Sequence, residues 1–370
     1  MKGFGRTLAA LAGTAVISVG LAACGSSDDE ASTTGAAAGG LTLRLGYVTT
    51  PQHPYGIAIQ KFADEVASAS GGKITITPVP AASGGNDVTL LDDVSGGTIE
   101  MAGVSTAVWD SKGVNVFQPL QAPFLITNYP LAEKVLGGEI GQGMLDSPAG
   151  PSSINLHGLG ILEGGLRKPV GRTAAFTTPA SFVGKKFRAP SSKVMVSTLK
   201  ALGASPTPMP LPDVLPGLKS GAIDGLEANY GLIVTQKFNE AAKFVTADVT
   251  LWPFPAAVVI NKDQWDKLSA DQQTILTDAG KNLAGNSIQV FTNPAPDATN
   301  FVQVLCDAGM TFASAGEANR AALAKKAQPA MDELAANADT KDFLKQIQDL
   351  KASMGPPAAP PALPAGCKTS

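Results

Sequence analysis

Histidine and cysteine are scarce in this 370-residue chain, which has two histidines, His53 and His157, and three cysteines. The histidines stand far apart, and no Cys/His/Asp/Glu grouping has metal-ligand spacing, so no metal and no cofactor are expected. No Gly-x-Ser-x-Gly elbow frames a nucleophilic serine. Runs of Lys or Arg are absent too. With Lys+Arg 28 against Asp+Glu 31 the formal charge is −3, and without a basic patch nucleic acid is not an expected partner. Past the first two dozen residues no apolar stretch approaches the roughly 20 residues that a spanning helix needs. No repeat occurs at solenoid periods.

The amino end has a pattern of its own. Lys2 and Arg6 precede an uncharged, mostly apolar run from Leu8 to Ala23, which ends in Leu21-Ala22-Ala23-Cys24. This is the layout of a secretory signal peptide with small residues before the cut. The cysteine after Leu-Ala-Ala resembles a lipobox. The resemblance implies that Cys24 carries a lipid, heads the mature chain and tethers it to an extracytoplasmic membrane face. Buried acyl methylenes contribute about 0.8 kcal/mol each, so two or three chains hold firmly. Loss of Lys2 and Arg6 takes the formal charge to −5. Residues 24–40 carry Gly, Ser, Asp, Thr and Ala without large apolar side chains, so they read as a flexible tether. With Cys24 lipidated, Cys306 and Cys367 are an even pair in an oxidising compartment. They form a disulfide candidate that would tie the Pro/Ala-rich tail, residues 355–370, to the body.

Between tether and tail there is length for two ordinary domains. Leu41–Val48 alternates like a strand. Ile57, Ile59, Phe62 and Val66 then repeat at helical spacing, and Gly71-Gly72 stops the helix. Lys73–Val79 is a second alternating strand, Asp87–Val94 a helix, and Ile99–Val104 a third strand. This order predicts an α/β domain on a mostly parallel sheet, with ligand sites beyond the strand ends. A second unit starts near Leu156. It has strands at Lys185–Arg188 and Ala222–Ala228 and a helix over Val194–Leu202. The β-branched run Ala256–Ile260 is placed to return to the first sheet. Ser269-Ala-Asp-Gln272 forms a capping box, and Glu317–Met354 is Ala-, Lys- and Leu-rich at helical spacing.

Three polar residues stand at strand-to-loop transitions: Arg167, in Glu163-Gly-Gly-Leu-Arg167; Arg188, between a strand and Pro190; and Asn229, shortly after Asp224-Gly225. A guanidinium matches a carboxylate with two parallel hydrogen bonds, and Asn adds a donor and an acceptor. On local context alone they are also ordinary loop residues.

Several segments in order carry a resemblance over about residues 41–350. They are Leu43-Arg-Leu-Gly46 with His53-Pro54, Ser70-Gly-Gly-Lys-Ile74, Asp93-Val-Ser-Gly-Gly-Thr-Ile-Glu-Met101, Ala122-Pro-Phe124 and Gly184-Lys-Lys-Phe-Arg-Ala-Pro190. Then come Leu199-Lys-Ala-Leu-Gly-Ala-Ser-Pro-Thr-Pro-Met209, Leu218-Lys-Ser-Gly-Ala-Ile-Asp-Gly-Leu-Glu227, and Val259-Ile-Asn-Lys262 with Trp265. The chain resembles solute-binding proteins of tripartite ATP-independent periplasmic (TRAP) transporters, of the C4-dicarboxylate-binding (DctP) type. The resemblance implies an α/β two-lobe periplasmic-binding-protein-like fold with a hinge, an interlobe cleft and long C-terminal helices. Lobe I would hold 41–155 with a return near 250–300, lobe II 156–250, and the C-terminal helices 301–354. It implies no enzyme activity, but capture of a small organic acid for TRAP membrane subunits. Arg188 would clamp the carboxylate, supported by Arg167 and Asn229. Asp87, Ser105, Thr106 and Leu211 would complete the pocket. Departures from the family pattern are Val48 at a position that is polar in some acid-sugar binders, Val108-Trp109 near the expected pocket mouth, and Pro212 and Pro216 in the helix after Met209. They suggest a more apolar acid than a sugar acid, and Pro216 would remove an interior helical hydrogen bond. A ligand sensor for a signalling receptor, or an exported lipoprotein hydrolase using His53 or His157, is the alternative.

Overall fold

The computed structural model describes residues 40–296, 298–356 and 362–370. The signal peptide, Cys24 and nearly all of the tether lie outside the described residues.

The chain order of lobe I is β1 (Leu41–Tyr47), α1 (Pro54–Ala69), β2 (Ile74–Pro80), α2 (Asp87–Ser95), β3 (Met101–Ser105), α3 (Tyr129–Leu136), α4 (Glu139–Asp146) and β4 (Leu156–Glu163). Lobe II follows with β5 (Lys168–Gly171), α5 (Pro179–Phe182), β6 (Lys186–Ala189), α6 (Lys193–Leu202), β7 (Ser205–Pro208), α7 (Val214–Ser220), β8 (Gly225–Ala228), α8 (Tyr230–Thr235) and β9 (Phe244–Thr246). The chain returns to lobe I through β10 (Pro255–Asn261), α9 (Lys262–Trp265), α10 (Ala270–Lys281) and α11 (Leu283–Thr292). It ends with α12 (Phe301–Asp307), β11 (Thr311–Ala313), α13 (Gly316–Lys326), α14 (Gln328–Ala336), α15 (Lys341–Met354) and β12 (Lys368–Thr369).

The sheets run β2-β1-β3-β10-β4 and β12-β11-β9-β5-β8-β6-β7. This topology departs from the sequence expectation in two ways. Leu156–Glu163 does not open the second unit, because β4 pairs with β10 inside the first sheet and lobe I therefore extends to Glu163. The first sheet is not mostly parallel: β1 runs parallel to β2 and β3, but β10 is antiparallel to both β3 and β4. β10 enters from lobe II, so its direction is set by the crossover rather than by a βαβ unit. All seven of its residues are buried, which is why Val258-Val259-Ile260 reads as an unbroken apolar run rather than an alternation.

The 301–354 segment is not helical throughout, since β11 joins lobe II's sheet beside β9. Cys306 and Cys367 are joined by a disulfide, and β12 adds a parallel strand to β11, so the tail covers an otherwise open sheet edge. The helix after Met209 begins late. A 3-10 turn over Leu211–Asp213 holds Pro212, and α7 starts at Val214. Pro216 is therefore in the first turn, where its missing N–H removes no bond within α7, contrary to the expectation. The Ser269 capping box forms as read: the Ser269 hydroxyl accepts from Gln272 N and the Gln272 side chain from Ser269 N.

Two connections cross between the lobes side by side. Arg167 N donates to Trp252 O (2.8 Å), Leu251 N to Arg167 O (2.9 Å) and Gly164 N to Phe254 O (2.8 Å). Behind them one apolar cluster runs from Leu91, Trp109 and Phe117 of lobe I to Phe187 and Leu199 of lobe II and on to Leu334 and Leu344. Burial of each such Leu or Phe contributes roughly 1.5–3 kcal/mol. Trp109 is part of this core, fully buried and edge-on to Phe117 at 5.0 Å. It does not add bulk at a pocket mouth. Val48 is also core.

Candidate binding site

Strand direction brings the polar residues together. β5 is antiparallel to β8 and β6 is parallel to it. The residue before β5 (Arg167), the residue after β8 (Asn229) and the penultimate residue of β6 (Arg188) therefore meet at one end of lobe II's sheet. The ends of β1, β3 and β4 face them from lobe I, which puts the convergence between the lobes, beyond strand termini.

A residue outside the expected set organises the arginines. Glu227, on β8, is fully buried. Its Oε1 accepts from Arg188 Nη1 at 3.0 Å, and its Oε2 accepts from Arg167 Nη1. Arg188 Nε and Nη2 both donate to Met209 O, at 3.1 and 2.9 Å. Among the described residues, one N–H on each of Nη1 and Nη2 then lacks a protein acceptor. The Arg167 guanidinium lies 3.8 Å over the Phe254 ring, and its buried Nε has no hydrogen-bond partner among the described residues. Burial pulls the Arg188 pKa down to about 10, with Glu227 opposing, so it stays cationic near neutrality. Two guanidiniums thus share one carboxylate and retain donors for a second anion.

Asn229 caps α8. Its Oδ1 accepts from Leu232 N (2.8 Å), while its Nδ2 donates to Gly164 O (2.8 Å) in the crossover. Gly165 (φ +116°) has no room for a side chain, since a Cβ there would sit 2.8 Å from Asn229 Cγ. That close approach explains the Gly-Gly before Arg167.

The lobe I face differs. Asn86 caps α2, and Asp87 opens it. Asp87 Oδ1 accepts from Ser105 N at 2.9 Å. Burial raises the Asp87 pKa to about 6, against the Ser105 bond and the two arginines. Tyr55 Oη and Thr49 Oγ1 are buried and lack hydrogen-bond partners among the described residues. Ser105 Oγ accepts from Ala107 N (3.4 Å). Thr106 Oγ1 donates to Pro255 O (3.2 Å) and accepts from Gln121 Nε2 (2.5 Å), so Thr106 braces the β3 end against the crossover. Leu211 packs with Val170, Val214 and Leu226 in the lobe II core. The next residue, Pro212, meets lobe I, as a Cβ on Gly85 would lie 3.1 Å from Pro212 Cγ.

Glu163 ends β4 at the hinge, fully buried. Its Oε1 accepts from Gly165 N (2.6 Å) and Phe254 N (3.0 Å), one from each crossover. Burial lifts its pKa to about 7. His157 stacks on Trp265 at 3.8 Å and His53 caps α1. Among the described residues neither histidine hydrogen-bonds a serine or cysteine. A groove of about 610 Å³ elsewhere on lobe I, with Lys134, Glu139, Lys281 and Gln289 in its wall, contains none of these residues.

Glu227, Glu163 and Phe254 are absent from the sequence-based set. The available signal was Glu227 itself, an acid in Asp-Gly-Leu-Glu next to two arginines that would have to be buried together.

Residues 45–338 match the model of the bacterial extracellular solute-binding proteins, family 7 (DctP). The chain belongs to this family. It is 32% identical over 247 residues to the 2,3-diketo-L-gulonate-binding periplasmic protein YiaO of Escherichia coli, covering 66% of this chain and 73% of that one. It is 28% identical over 296 residues to the C4-dicarboxylate-binding periplasmic protein DctP of Rhodobacter capsulatus, covering 80% and 86%. A TRAP periplasmic solute-binding protein from Bordetella, with density assigned as pantoate, superposes with TM-score 0.75 at 27% identity, covering 84% of this chain and 99% of that one. The sugar acid binding protein DctPAm of Advenella mimigardefordensis, in complex with galactonate, gives TM-score 0.76 at 25% identity, covering 85% and 98%. This DctP-family chain is thus an extracytoplasmic solute-binding protein on the two-lobe fold.

Proposed function

We propose that this DctP-family chain captures a small organic carboxylate between its lobes and delivers it to the membrane subunits of a TRAP transporter, doing no chemistry on it. One observation carries the reading. Arg167 and Arg188 are buried, share a single carboxylate, and keep donors free, including Arg167 Nε. A desolvated guanidinium pair with one counter-ion calls for another anion. Arg188 and Arg167 would hold its carboxylate and the remaining Nδ2–H of Asn229 would bond it. Closure then strengthens the pairing by excluding water.

Asp87 refines the ligand. A carboxylate across from the arginines repels a second acid group and accepts from a hydroxyl or ammonium. A hydroxy or amino monocarboxylate therefore fits better than a dicarboxylate. The more apolar acid suggested by Val48, Val108-Trp109, Pro212 and Pro216 loses support, because Val48, Val108 and Trp109 are in the core and the two prolines sit at the start of α7. Pantoate and galactonate, named for relatives of known structure, are hydroxy acids. A lipid on Cys24 would keep the receptor at the membrane face.

The test is thermal-shift screening of the unlipidated chain, refolded to remove carried-over ligand, against hydroxy acids, plain monocarboxylates and dicarboxylates. Saturable stabilisation by a carboxylate is expected. Arg188→Ala should then weaken its binding by about 2 kcal/mol or more, and Arg188→Lys should also weaken it because a point charge lacks the fork. Unchanged affinity in Arg188→Ala would sink the assignment.

A further inference from the structure

We infer that His53 is a positioning residue of the cleft: its Nε2–H, donated from lobe I to Asn229 of lobe II, latches the closed arrangement.

The bonds around the ring fix its tautomer. Tyr55 N donates to His53 Nδ1 at 3.1 Å, so Nδ1 carries the lone pair and the proton of the neutral ring is on Nε2. Nε2 lies 3.2 Å from Asn229 Oδ1. That atom accepts from Leu232 N, while Nδ2 donates to Gly164 O. Turning the ring would put carbons where Nδ1 and Nε2 now bond, and turning the amide would put its Nδ2–H against the Leu232 N–H. Burial, opposed by the Asn229 bond and helped by Arg167, lowers the His53 pKa to about 3. The ring is therefore a neutral donor throughout the neutral range.

Packing supports the contact. A Cβ on Gly231, in the first turn of α8, would come within 3.0 Å of Pro54 Cδ and 3.3 Å of His53 Cδ2, so the His53-Pro54 corner seats on bare backbone. The ring also lies edge-on to Phe254 at 6.4 Å, the ring that Arg167 covers. His53 touches Asn229 and Phe254, and neither contact requires a ligand. In a dry site an added charge-neutral bond favours closure modestly, and Asn229 is held with its Nδ2 aimed at the crossover.

Closure can be read without any ligand. Gly85 and Pro212 approach each other across the cleft, as a Cβ on Gly85 would lie 3.1 Å from Pro212 Cγ, so a cysteine pair placed there forms a cross-link only when the lobes close. In the full chain carrying Cys24→Ser, Gly85→Cys and Pro212→Cys, the rate of cross-linking in a glutathione redox buffer reports the closed population. His53→Asn keeps an N-cap oxygen for Tyr55 N but is too short to reach Asn229. His53→Gln reaches Asn229 but loses the cap. Cross-linking should slow about fivefold to tenfold in His53→Asn, the size of one net hydrogen bond, and recover most of its rate in His53→Gln. The melting temperature of His53→Asn should stay near the parent's. An unchanged rate in His53→Asn overturns the inference. Equal slowing in both variants with matching losses of melting temperature also overturns it, because that outcome assigns His53 to the fold alone. A second arm rests on the receptor reading: for an acid found by the screen, His53→Asn should raise the dissociation rate about tenfold and leave association within about twofold. Failure of the receptor reading removes this arm and leaves the cross-linking result intact.

Discussion

The two faces of the cleft are built on different principles. On lobe II, Arg167 and Arg188 are tied to a buried counter-ion, Glu227, and to Met209 O, so the charges that would bind a ligand are also structural. On lobe I, among the described residues, the Asp87 carboxylate has one bond, to the backbone, and Tyr55 Oη has none. The lobe II face is pre-organised and invariant in what it can accept, namely an anion. The lobe I face has spare hydrogen-bonding capacity, and that capacity can distinguish one acid from another.

This contrast can be broken by substitution. The largest effect is expected for Glu227→Ala. It leaves two buried guanidiniums without their carboxylate, and loss of one partner of a buried pair costs about 3–5 kcal/mol. Urea denaturation should show that loss, and a change under about 1 kcal/mol would mean that the arginines are hydrated rather than paired. Asp87→Asn should leave stability nearly untouched and act on selectivity. Hydroxy acids should weaken and dicarboxylates strengthen, with their affinity ratio moving about tenfold, which is about 1.4 kcal/mol. Calorimetry on both acid classes measures the ratio, and an equal change for both would deny Asp87 a specificity role.

The smallest effect concerns pH. Glu163 has a pKa raised from an ordinary 4.5 to about 7 by burial. The folded state then holds a proton that the unfolded chain releases, so stability falls as pH rises from about 4.5 through 7 and levels off above. Glu163→Gln should flatten this part of the profile, with a parent-minus-variant difference of a few degrees in melting temperature between pH 5 and pH 8. Parallel profiles would show that Glu163 stays ionised at the hinge.

Much of the fold was legible because its signals are local. The alternating Leu41–Val48, the Gly71-Gly72 stop and the Ser269 capping box depend on neighbours in sequence, and each appears where the pattern put it. β10 was legible as a β-branched run placed to return to the first sheet, and it does so between β3 and β4. β4 was assigned to the wrong lobe because nothing in Leu156–Glu163 says which sheet its edge will join, a matter decided by β10 arriving from the far side of the hinge. Pro216 misled because its cost depends on where the helix starts, and the 3-10 turn at Leu211–Asp213 moved that start.

The site divides in the same way. Arg167, Arg188 and Asn229 could be named from strand ends and family resemblance. Glu227 and His53 are visible in the sequence but their roles are not, since a carboxylate becomes a shared counter-ion, and an imidazole an interlobe donor, only when distant strands and helix ends meet. The sequence by itself determined the alternation of strands and helices, the family, and the residue types that can hold an acid. Tertiary structure decided which charges are paired, which donors remain free and which bonds span the lobes. Pairing and burial set the strength of a polar group, and both are properties of its surroundings in space.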